Sequence, residues 1–449
     1  MDLTLLINEI LIRGKKKFDD LEVFVLRGKS IDLKVFQGQV DKYSIAETGG
    51  LSLRGIKNGK MGYSYTEKLD ESSIDMLIDE ALENSKYIDI VDGDEIYSSS
   101  RDYRELDNFY EALSLSTMEE RLAFTKRMEE EAMSLDGRIK SIQACSYQEF
   151  QQERYIFNTK GLRLKDRVNG GFAYISVVAR EGGDIKTGMG FRTFSGLTEV
   201  SPLEIAKEAV EEAISMLGAG SIKAGNYSIL IKNTSFADLL NAFSSIFSGD
   251  NAQKGLSLLK DKVGSKVGAE IISIVDDPFM VKGYASRAFD DEGCKTFMKK
   301  IVDKGVLTTL LHTWKTARKE GLVSTGNGYR SSYKSALGIS PSNFYVENGS
   351  ESLKDMMTEM GEGIYITNLQ GLHSGLNPVS GDFSLSCQGY EIERGKIKKP
   401  INQITVAGNF FQLLNDILRI GNDLSFSMPD SGYFGSPSIL IKRLSISGE

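Results

Sequence analysis

The chain has 449 residues, a formal net charge of −8, 41% hydrophobic residues and 26% charged residues. This length exceeds one ordinary hydrophobic core, so two domains are expected. The modest acidic charge excludes an electrostatic footprint for nucleic acid, and no apolar stretch approaches the ~20 residues of a membrane span. The three cysteines, Cys145, Cys294 and Cys387, are odd in number and far apart, which favours reduced thiols in a cytoplasmic protein.

The first segment predicts an amphipathic helix and not a signal peptide. Its apolar residues follow helical spacing up to a stop at Gly14, and they are Leu3, Leu6, Ile7, Ile10 and Leu11. The basic cluster Lys15–Lys17 follows the apolar part, which is the reverse of the order in a secretory signal. We expect this helix to cover a sheet.

The rest of the first half predicts a strand meander with helices. Alternating apolar residues and the turn Asn58-Gly59 indicate strands and a hairpin. A helical face is expected over 70–86, and a capping box predicts a helix that begins at Ser116, with Glu119 three residues later. Strands over 139–196 precede a helix that starts at Ser201-Pro202 and ends at Gly218.

The second half begins after a candidate linker at 217–226. We expect helices from Ser235 to about Phe247, near 313–320 and over 409–420, and a hairpin with the turn Arg394-Gly395. Strands come in runs without regular β-α alternation. The pattern therefore predicts an α+β fold with two domains, 1–218 and 222–449, mostly antiparallel or mixed sheets with packed helices, and a sheet-rich, barrel-like C-terminal half.

Common catalytic motifs are missing from the sequence. There is no HExxH, no P-loop and no GxSxG. The two histidines, His312 and His373, are not on one helix and have no cysteine or glutamate at ligand spacing, so ordinary surface or packing roles are expected. Cys387 is interpreted as a small strand residue and not as a nucleophile.

Several longer motifs nevertheless form a specific pattern in a fixed order. They are AFDDEGCKT at 288–296, VSTGNGYR at 323–330, GIYITNLQG at 363–371, SGDFSLSCQGYEIERGKIKKP at 380–400 and ITVAGNFFQLLNDILRIGNDL at 404–424. With the N-terminal meander, they make the chain resemble the TldD/PmbA family, also called modulators of DNA gyrase, along nearly its whole length.

The resemblance implies which of two kinds of member this chain is. TldD-like chains are zinc metallopeptidases with an HExxxH helix and a later cysteine ligand, whereas PmbA-like (TldE) chains lack these ligands. By position, the zinc helix matches Leu240-Asn241-Ala242-Phe243-Ser244-Ser245, and the cysteine would fall near 425–432, SFSMPDSG. Leu240, Asn241 and Ser245 replace the ligand set, so we expect no metal site, no cofactor and no catalytic residue of its own.

The resemblance also implies partners and a peptide-binding region. We expect a homodimer, or a heterodimer with a zinc-bearing TldD-like chain, acting on peptide and not on nucleic acid or membrane. The candidate cleft residues are Ser324, Thr325, Gly326, Asn327, Gly328 and Arg330, together with Asp382 and Ser384. Arg330 could hold a carboxylate bidentately; the alternative is a tight turn whose arginine makes a structural salt bridge.

Three functions stay open on the sequence. The first is a non-catalytic subunit that assists proteolysis of small or unfolded peptides by a zinc-bearing homologue. The second is a homodimeric peptide-binding protein without peptidase activity. The third is a metal-independent hydrolase that uses a nucleophile such as Ser324 or Cys387, although no sequence signal positions a base for it.

Overall fold

The protein is described by a computed structural model covering residues 2–88, 94–429 and 432–448. Its first half contains five helices: α1 Leu3–Gly14, α2 Ile74–Lys86, α3 Glu111–Ser114, α4 Met118–Leu135 and α5 Pro202–Ser215. Its six strands are β1 Asp20–Phe36, β2 Gln39–Lys57, β3 Lys60–Thr66, β4 Ile139–Asn158, β5 Arg163–Glu181 and β6 Asp184–Phe194. None of the helices in these described ranges is long and apolar enough to cross a membrane.

These six strands form one antiparallel sheet in the order β3-β2-β1-β4-β5-β6. Side chains alternate between the two faces of a strand, and both faces of β1 are buried against other parts of the protein. Val23 and Val25 pack with α1 and α2 on one face, where α4 and α5 also lie, packed on β4, β5 and β6. The intervening Glu22 and Phe24 are buried on the opposite face, which is the face turned toward the second half of the chain.

The second half has more strands and shorter helices. Its helices are α6 Asn233–Phe243, α7 Gly249–Gln253, α8 Trp314–Lys319, α9 Leu353–Met360 and α10 Phe410–Asn415. Its strands are β7 Gly225–Ile231, β8 Ile274–Asp277, β9 Lys299–Asp303, β10 Val306–Leu307, β11 Gly328–Tyr329, β12 Gly338–Ile339, β13 Asn343–Val346, β14 Gly363–Gln370, β15 Asp382–Glu393, β16 Lys396–Asn409, β17 Ile417–Ile420, β18 Ser425–Phe426, β19 Tyr433–Ser436 and β20 Ile439–Ser447.

Five of these strands close into a barrel, which confirms the predicted barrel-like C-terminal half. The order is β16-β15-β14-β7-β20, and a further pairing of β16 with β20 closes it. The turn Arg394-Gly395 joins β15 to β16 with positive φ at both residues, as a two-residue hairpin requires. A second sheet, β10-β9-β8-β13-β19-β18, packs beside α6, and the shared core includes Leu240 and Phe243.

Local signals predicted most helices, with two corrections. The capping box lies one residue later than predicted: the side chain of Thr117, and not that of Ser116, accepts from the backbone of Glu120. The helix predicted over 409–420 is also wrong in its second half, because α10 ends at Asn415 and Ile417–Ile420 forms β17 against β20. Pairing with a neighbouring strand outweighs the helical spacing of these apolar residues.

The two halves use separate sheets. All six strands of the first sheet precede Gly218, and the strands of the other sheets begin at Gly225. The division into 1–218 and 222–449 stays a prediction about domain boundaries. The halves meet where the open face of the first sheet contacts the loops between β8 and β13.

Candidate functional site: a cleft between the first sheet and the STGNGYR loop

A cleft with a cavity of about 310 Å³ lies between the two halves of the chain. We call it the cleft cavity; its lining residues from the first sheet include Phe150, Gln152, Arg154 and Asp166, and those from the second half include Tyr284, Arg287, Asp291, Tyr329 and Arg330. A neighbouring cavity of about 540 Å³ shares Asp166 and Val168 with it. The volume of the cleft cavity is at the lower end of the ~300–1,000 Å³ typical of ligand pockets.

The STGNGYR loop reaches the wall of this cleft at its end, through Tyr329 and Arg330, and the rest of the loop is held inside the protein. Ser324, Thr325, Asn327 and Arg330 are each 5% exposed or less. Gly326 has a φ of +71°, and a Cβ there would lie 2.7 Å from the carbonyl oxygen of Lys295. Only glycine fits such a close backbone approach, so the loop is fixed by its own sequence.

The loop packs against an acidic turn in the AFDDEGCKT motif. The Asp290 carboxylate accepts hydrogen bonds from the backbone N–H groups of Glu292 and Cys294 with one oxygen and of Gly328 with the other, at 2.9–3.0 Å. Asp291 accepts from the backbone N–H of Arg330 at 2.6 Å. Two sequence motifs more than thirty residues apart are therefore joined by carboxylate-to-backbone bonds.

A buried network of charges fastens this wall to the first sheet. Glu22 accepts from Arg54 at 2.7 and 3.1 Å and from Arg330 at 2.9 Å. Arg154 pairs with both Asp166 and Asp291. Arg330 therefore makes the structural salt bridge that the sequence left open as the alternative to carboxylate binding, and its guanidinium also lies over the Phe24 ring at 4.5 Å.

Glu292 is a buried carboxyl whose charge is only partly compensated within this network. Burial raises the pKa of Glu292, Arg54 opposes that shift, and the neighbouring Asp290 raises it further. The side chain accepts from the backbone N–H of Trp314 at 2.7 Å but lies 3.7 Å from the Arg54 guanidinium. Its ionised form is therefore less stable inside the folded protein than in water.

The partly compensated charge of Glu292 predicts a pH dependence of stability. A carboxyl whose pKa is higher in the folded state than in the unfolded state destabilises the fold when it is ionised. This loss of folding free energy is absent below the ordinary pKa of ~4.3 and grows as the pH rises toward the pKa of the folded state. Relative to wild type, Glu292→Gln is expected to gain stability from pH 5 to pH 8, by about 1.4 kcal/mol per unit of raised pKa. Urea unfolding at several pH values measures this. The exposed Glu270→Gln is the control, and parallel curves for wild type and Glu292→Gln would contradict the prediction.

The other two candidate cleft residues lie elsewhere. Asp382 and Ser384 are exposed at the start of β15, alternating with the buried Phe383 and Leu385 of the barrel interior. Asp382 accepts from the Asn409 amide at 2.9 Å. Of the predicted cleft residues, the structure therefore places only Arg330 in the lining of the cleft cavity. Residues 324–328 are buried in the loop and, like Asp382 and Ser384, do not line it.

The positions predicted to match the family zinc helix lie in and just after α6. Leu240 is 0% exposed and belongs to the hydrophobic core, Asn241 is half-buried, and Ser245 is exposed in the short 3₁₀ turn that follows α6. A leucine has no donor atom, and an asparagine and a serine are poor zinc ligands. The predicted cysteine position near 425–432 lies partly outside the described residues, because 430 and 431 are not described. Leu240, Asn241 and Ser245 therefore do not fit a zinc ion.

One group in the described part of the chain brings three potential metal ligands together. Asp290, Glu292 and Cys294 place one candidate atom each within 4.8 Å of one another. However, both Asp290 oxygens already accept backbone hydrogen bonds, and burial raises the pKa of the Cys294 thiol well above its ordinary value. A metal needs the thiolate and free lone pairs, so we interpret this group as a structural turn.

The two histidines and the candidate nucleophiles are not arranged for catalysis. His312 is 1% exposed, its Nδ1 lies 3.2 Å from the Thr316 hydroxyl, and burial lowers its pKa. His373 is exposed in the loop after β14. The Ser324 hydroxyl donates to the carbonyl of His312 at 3.3 Å, and burial raises the pKa of Cys387 to about 12.

Sequence analysis did not identify the cleft residues that come from the first sheet. Glu22 meets Arg330 of the STGNGYR loop across 308 positions of the chain. Arg154 and Arg54 meet Asp291 and Glu292 of the AFDDEGCKT turn. One signal was present in the sequence: Glu22 interrupts the apolar strand LEVFVL, and a carboxylate at a buried strand position is rarely left unpaired. Arg287 has no comparable sequence signal.

Family models match the chain in three successive segments. They are described as PmbA/TldA metallopeptidase domain 1 over residues 21–85, the central domain over 113–217 and the C-terminal domain over 224–448. Together they cover most of the chain and include both the first sheet and the barrel.

Individual relatives and solved structures agree with these matches. Metalloprotease PmbA of Escherichia coli O157:H7 is 24% identical, over 96% of this chain and 93% of its own length. A crystal structure from Thermotoga maritima, of a protein named as a modulator of a DNA gyrase, is 32% identical with a TM-score of 0.92, over 99% of this chain and 100% of that one. TldE from Thermococcus kodakarensis has the same fold at 23% identity, with a TM-score of 0.90 over 99% of this chain and 100% of that one. The chain therefore belongs to the PmbA/TldD family.

Proposed function

We propose that this chain is the PmbA/TldE-like subunit of a TldD-type metallopeptidase system. In this role it lacks zinc ligands of its own and assists the proteolysis of small or unfolded peptides by a zinc-bearing homologue. The observation that carries the proposal is the packing of α6, where Leu240 lies in the core at a position that the family resemblance predicts to match a zinc ligand. Such a site requires three protein ligands and an open position, and Leu240, Asn241 and Ser245 do not supply them.

The names of the relatives support the proposal at the level of the system. The Escherichia coli relative is named a metalloprotease PmbA. A second relative, from Buchnera aphidicola, is named a metalloprotease TldD homologue and is 26% identical over 89% of this chain. One family thus includes proteins named after both kinds of subunit. The proposal assigns this chain to the PmbA kind, acting in the cytoplasm as one half of a dimer.

A second role, a homodimeric peptide-binding protein, rests on the cleft cavity, whose volume of about 310 Å³ is within the ~300–1,000 Å³ range of ligand pockets. The third possibility, a metal-independent hydrolase, has less support. Ser324 is 5% exposed and bonded to a backbone carbonyl, and a nucleophile needs both access and an adjacent base.

The test is to purify this chain alone, a zinc-bearing TldD-like homologue alone, and the two co-expressed. We expect the two chains to co-purify, and we expect chelator-sensitive hydrolysis of unfolded peptides by the pair but not by this chain alone. Metal analysis after dialysis is expected to find no stoichiometric zinc in this chain alone. Peptide binding by a homodimer that never co-purifies with the zinc chain would favour the second role.

A different result would reject both non-catalytic roles. About one zinc per chain, lost together with hydrolytic activity in His312→Ala or His373→Ala, would make this chain an enzyme in its own right. His312→Ala also removes a buried side chain, so the exposed His373→Ala is the variant whose loss of activity is free of folding effects.

A further inference from the structure

Arg287 is the one arginine of the cleft cavity wall that makes no ion pair with a described carboxylate. The other two lining arginines are neutralised: Arg154 by Asp166 and Asp291, and Arg330 by Glu22. Arg287 donates only to backbone carbonyls, from Nη2 to Ser340 at 2.8 Å and to Pro341 at 3.4 Å. Its Nε is buried and has no hydrogen-bond partner among the described residues.

The position of Arg287 is fixed by its backbone. Its N–H donates to the carbonyl of Pro278 at 3.0 Å, and its carbonyl accepts from the hydroxyl of Thr296 at 2.6 Å. Burial raises the pKa of Asp290, and the charge of Arg287 opposes that shift. Asp290 nevertheless makes no direct contact with the Arg287 guanidinium, because its oxygens accept three backbone N–H groups instead. The Nη1 of Arg287 makes no hydrogen bond to a described residue, and Arg287 lines the cleft cavity. A cation held in place with a donor to spare can bind an anion with little reorganisation.

The remaining wall of the cavity is suited to an apolar group. The rings of Phe150 and Tyr284 lie 4.9 Å apart, and both line the cavity. The cleft then continues past Val168 and Asp166 into the neighbouring cavity of about 540 Å³. The C-terminal end of a peptide has features that correspond to these three parts of the cleft. Its carboxylate is anionic, its last side chain can be apolar, and the rest of its chain is extended.

We propose that Arg287 and the aromatic pair Phe150 and Tyr284 form a subsite for the free C-terminal carboxylate of a peptide and its last, apolar side chain. The identity of the ligand as peptide rests on the proposed function. A guanidinium binds a carboxylate through charge-assisted hydrogen bonds, and Arg287 has such donors available. Each peptide would be held by its end, with the rest of its chain directed along the cleft.

The experiment is calorimetric titration of the full-length chain with the tripeptide Ala-Ala-Phe, as the free acid and as the C-terminal amide. We expect the free acid to bind at least about tenfold more tightly, because the amide lacks the charge that Arg287 recognises. Arg287→Gln is expected to bring the affinity for the acid down to that for the amide. Arg419→Gln, at an exposed arginine that pairs with Glu359, is the matched control and should leave both affinities unchanged.

A second variant keeps the proposal testable if Arg287→Gln fails to fold. Gln152 lines the cavity, and its side chain is half-buried. Gln152→Glu therefore adds a negative charge to the cavity wall and leaves the hydrogen bonds of Arg287 unchanged. This variant should weaken binding of the acid about tenfold and leave the amide unaffected. Equal binding of acid and amide by wild type, or no binding of either at millimolar concentration, would overturn the subsite.

Inorganic phosphate distinguishes the source of the anion. Phosphate that binds in an Arg287-dependent manner, without preference for the acid peptide over the amide, would overturn the peptide assignment. These titrations use this chain alone, so their failure leaves the co-purification and hydrolysis results of the proposed function unaffected. Conversely, a chain that never pairs with a zinc-bearing homologue could still pass the titration test.

Discussion

Glu22→Ala is expected to lower the free energy of unfolding by about 3–5 kcal/mol, the range found when one partner of a buried ion pair is removed. Glu22 is 0% exposed and accepts three hydrogen bonds from Arg54 and Arg330. Without it, Arg330 keeps its position over Phe24 but loses its only carboxylate among the described residues, and Arg54 retains only Glu292 at 3.7 Å. Two buried cations then lack adequate compensation.

Urea unfolding of wild type and variants measures this effect. The matched control is Glu359→Ala, which removes another glutamate–arginine pair, formed with Arg419 on the surface; exposed pairs contribute about 0–1 kcal/mol. The double variant Glu22→Ala/Arg330→Met should recover part of the loss, because it removes one of the orphaned cations. A loss for Glu22→Ala no larger than that of the control would show that the network does not hold the two halves together.

The parts of the fold that were predictable are those set by neighbouring residues. The α1 face of Leu6, Ile7 and Ile10 is buried as its spacing predicts. Ser201 accepts from the backbone of Glu204, as the cap at the start of α5 requires. Each of these signals lies within one helical turn, so no distant partner is needed to interpret it.

Predictions failed where a distant strand decides the outcome. The apolar residues Leu413, Leu414, Ile417 and Ile420 fit one helical face, yet only the first two are in a helix. Ile417 and Ile420 instead pair with β20, whose position follows only from the closure of the barrel. The short helix α9 was missed altogether, although Leu353, Met356, Met357 and Met360 follow helical spacing, because its eight residues are fewer than the ~11–18 over which such spacing is recognised.

The candidate site was predictable on one wall only. The STGNGYR loop stands out by its glycines, and Gly326 does adopt a conformation that favours glycine. The opposite wall depends on single polar residues spaced along strands, such as Arg154 in QERYIF. The register of the sheet decides which face of a strand carries such a residue. The packing of the two halves decides which distant loop it contacts. Neither can be inferred from a short stretch of sequence.

The second large effect is expected from Phe243→Ala in α6, with a loss of about 3–5 kcal/mol in the free energy of unfolding. Phe243 is 0% exposed, stacks on Phe410 with ring centroids 4.4 Å apart and an angle of 10°, and meets the edge of Phe383 at 6.3 Å. Its removal leaves a cavity between α6 and the barrel that rigid strands cannot fill. Urea or thermal unfolding measures the loss.

The control for this prediction lies two residues farther along, at one of the positions matched to the zinc helix. Ser245 is exposed, so Ser245→Ala should change stability by no more than about 0.5 kcal/mol. Together the two variants separate the roles that this segment could have. In a chain whose segment served catalysis, Ser245→Ala would reduce hydrolysis by the chain alone without affecting stability. If the segment serves packing, Phe243→Ala lowers the free energy of unfolding, and Ser245→Ala leaves both stability and the activity of a co-expressed pair unchanged. A stability loss below about 1 kcal/mol for Phe243→Ala would contradict the packing role of α6.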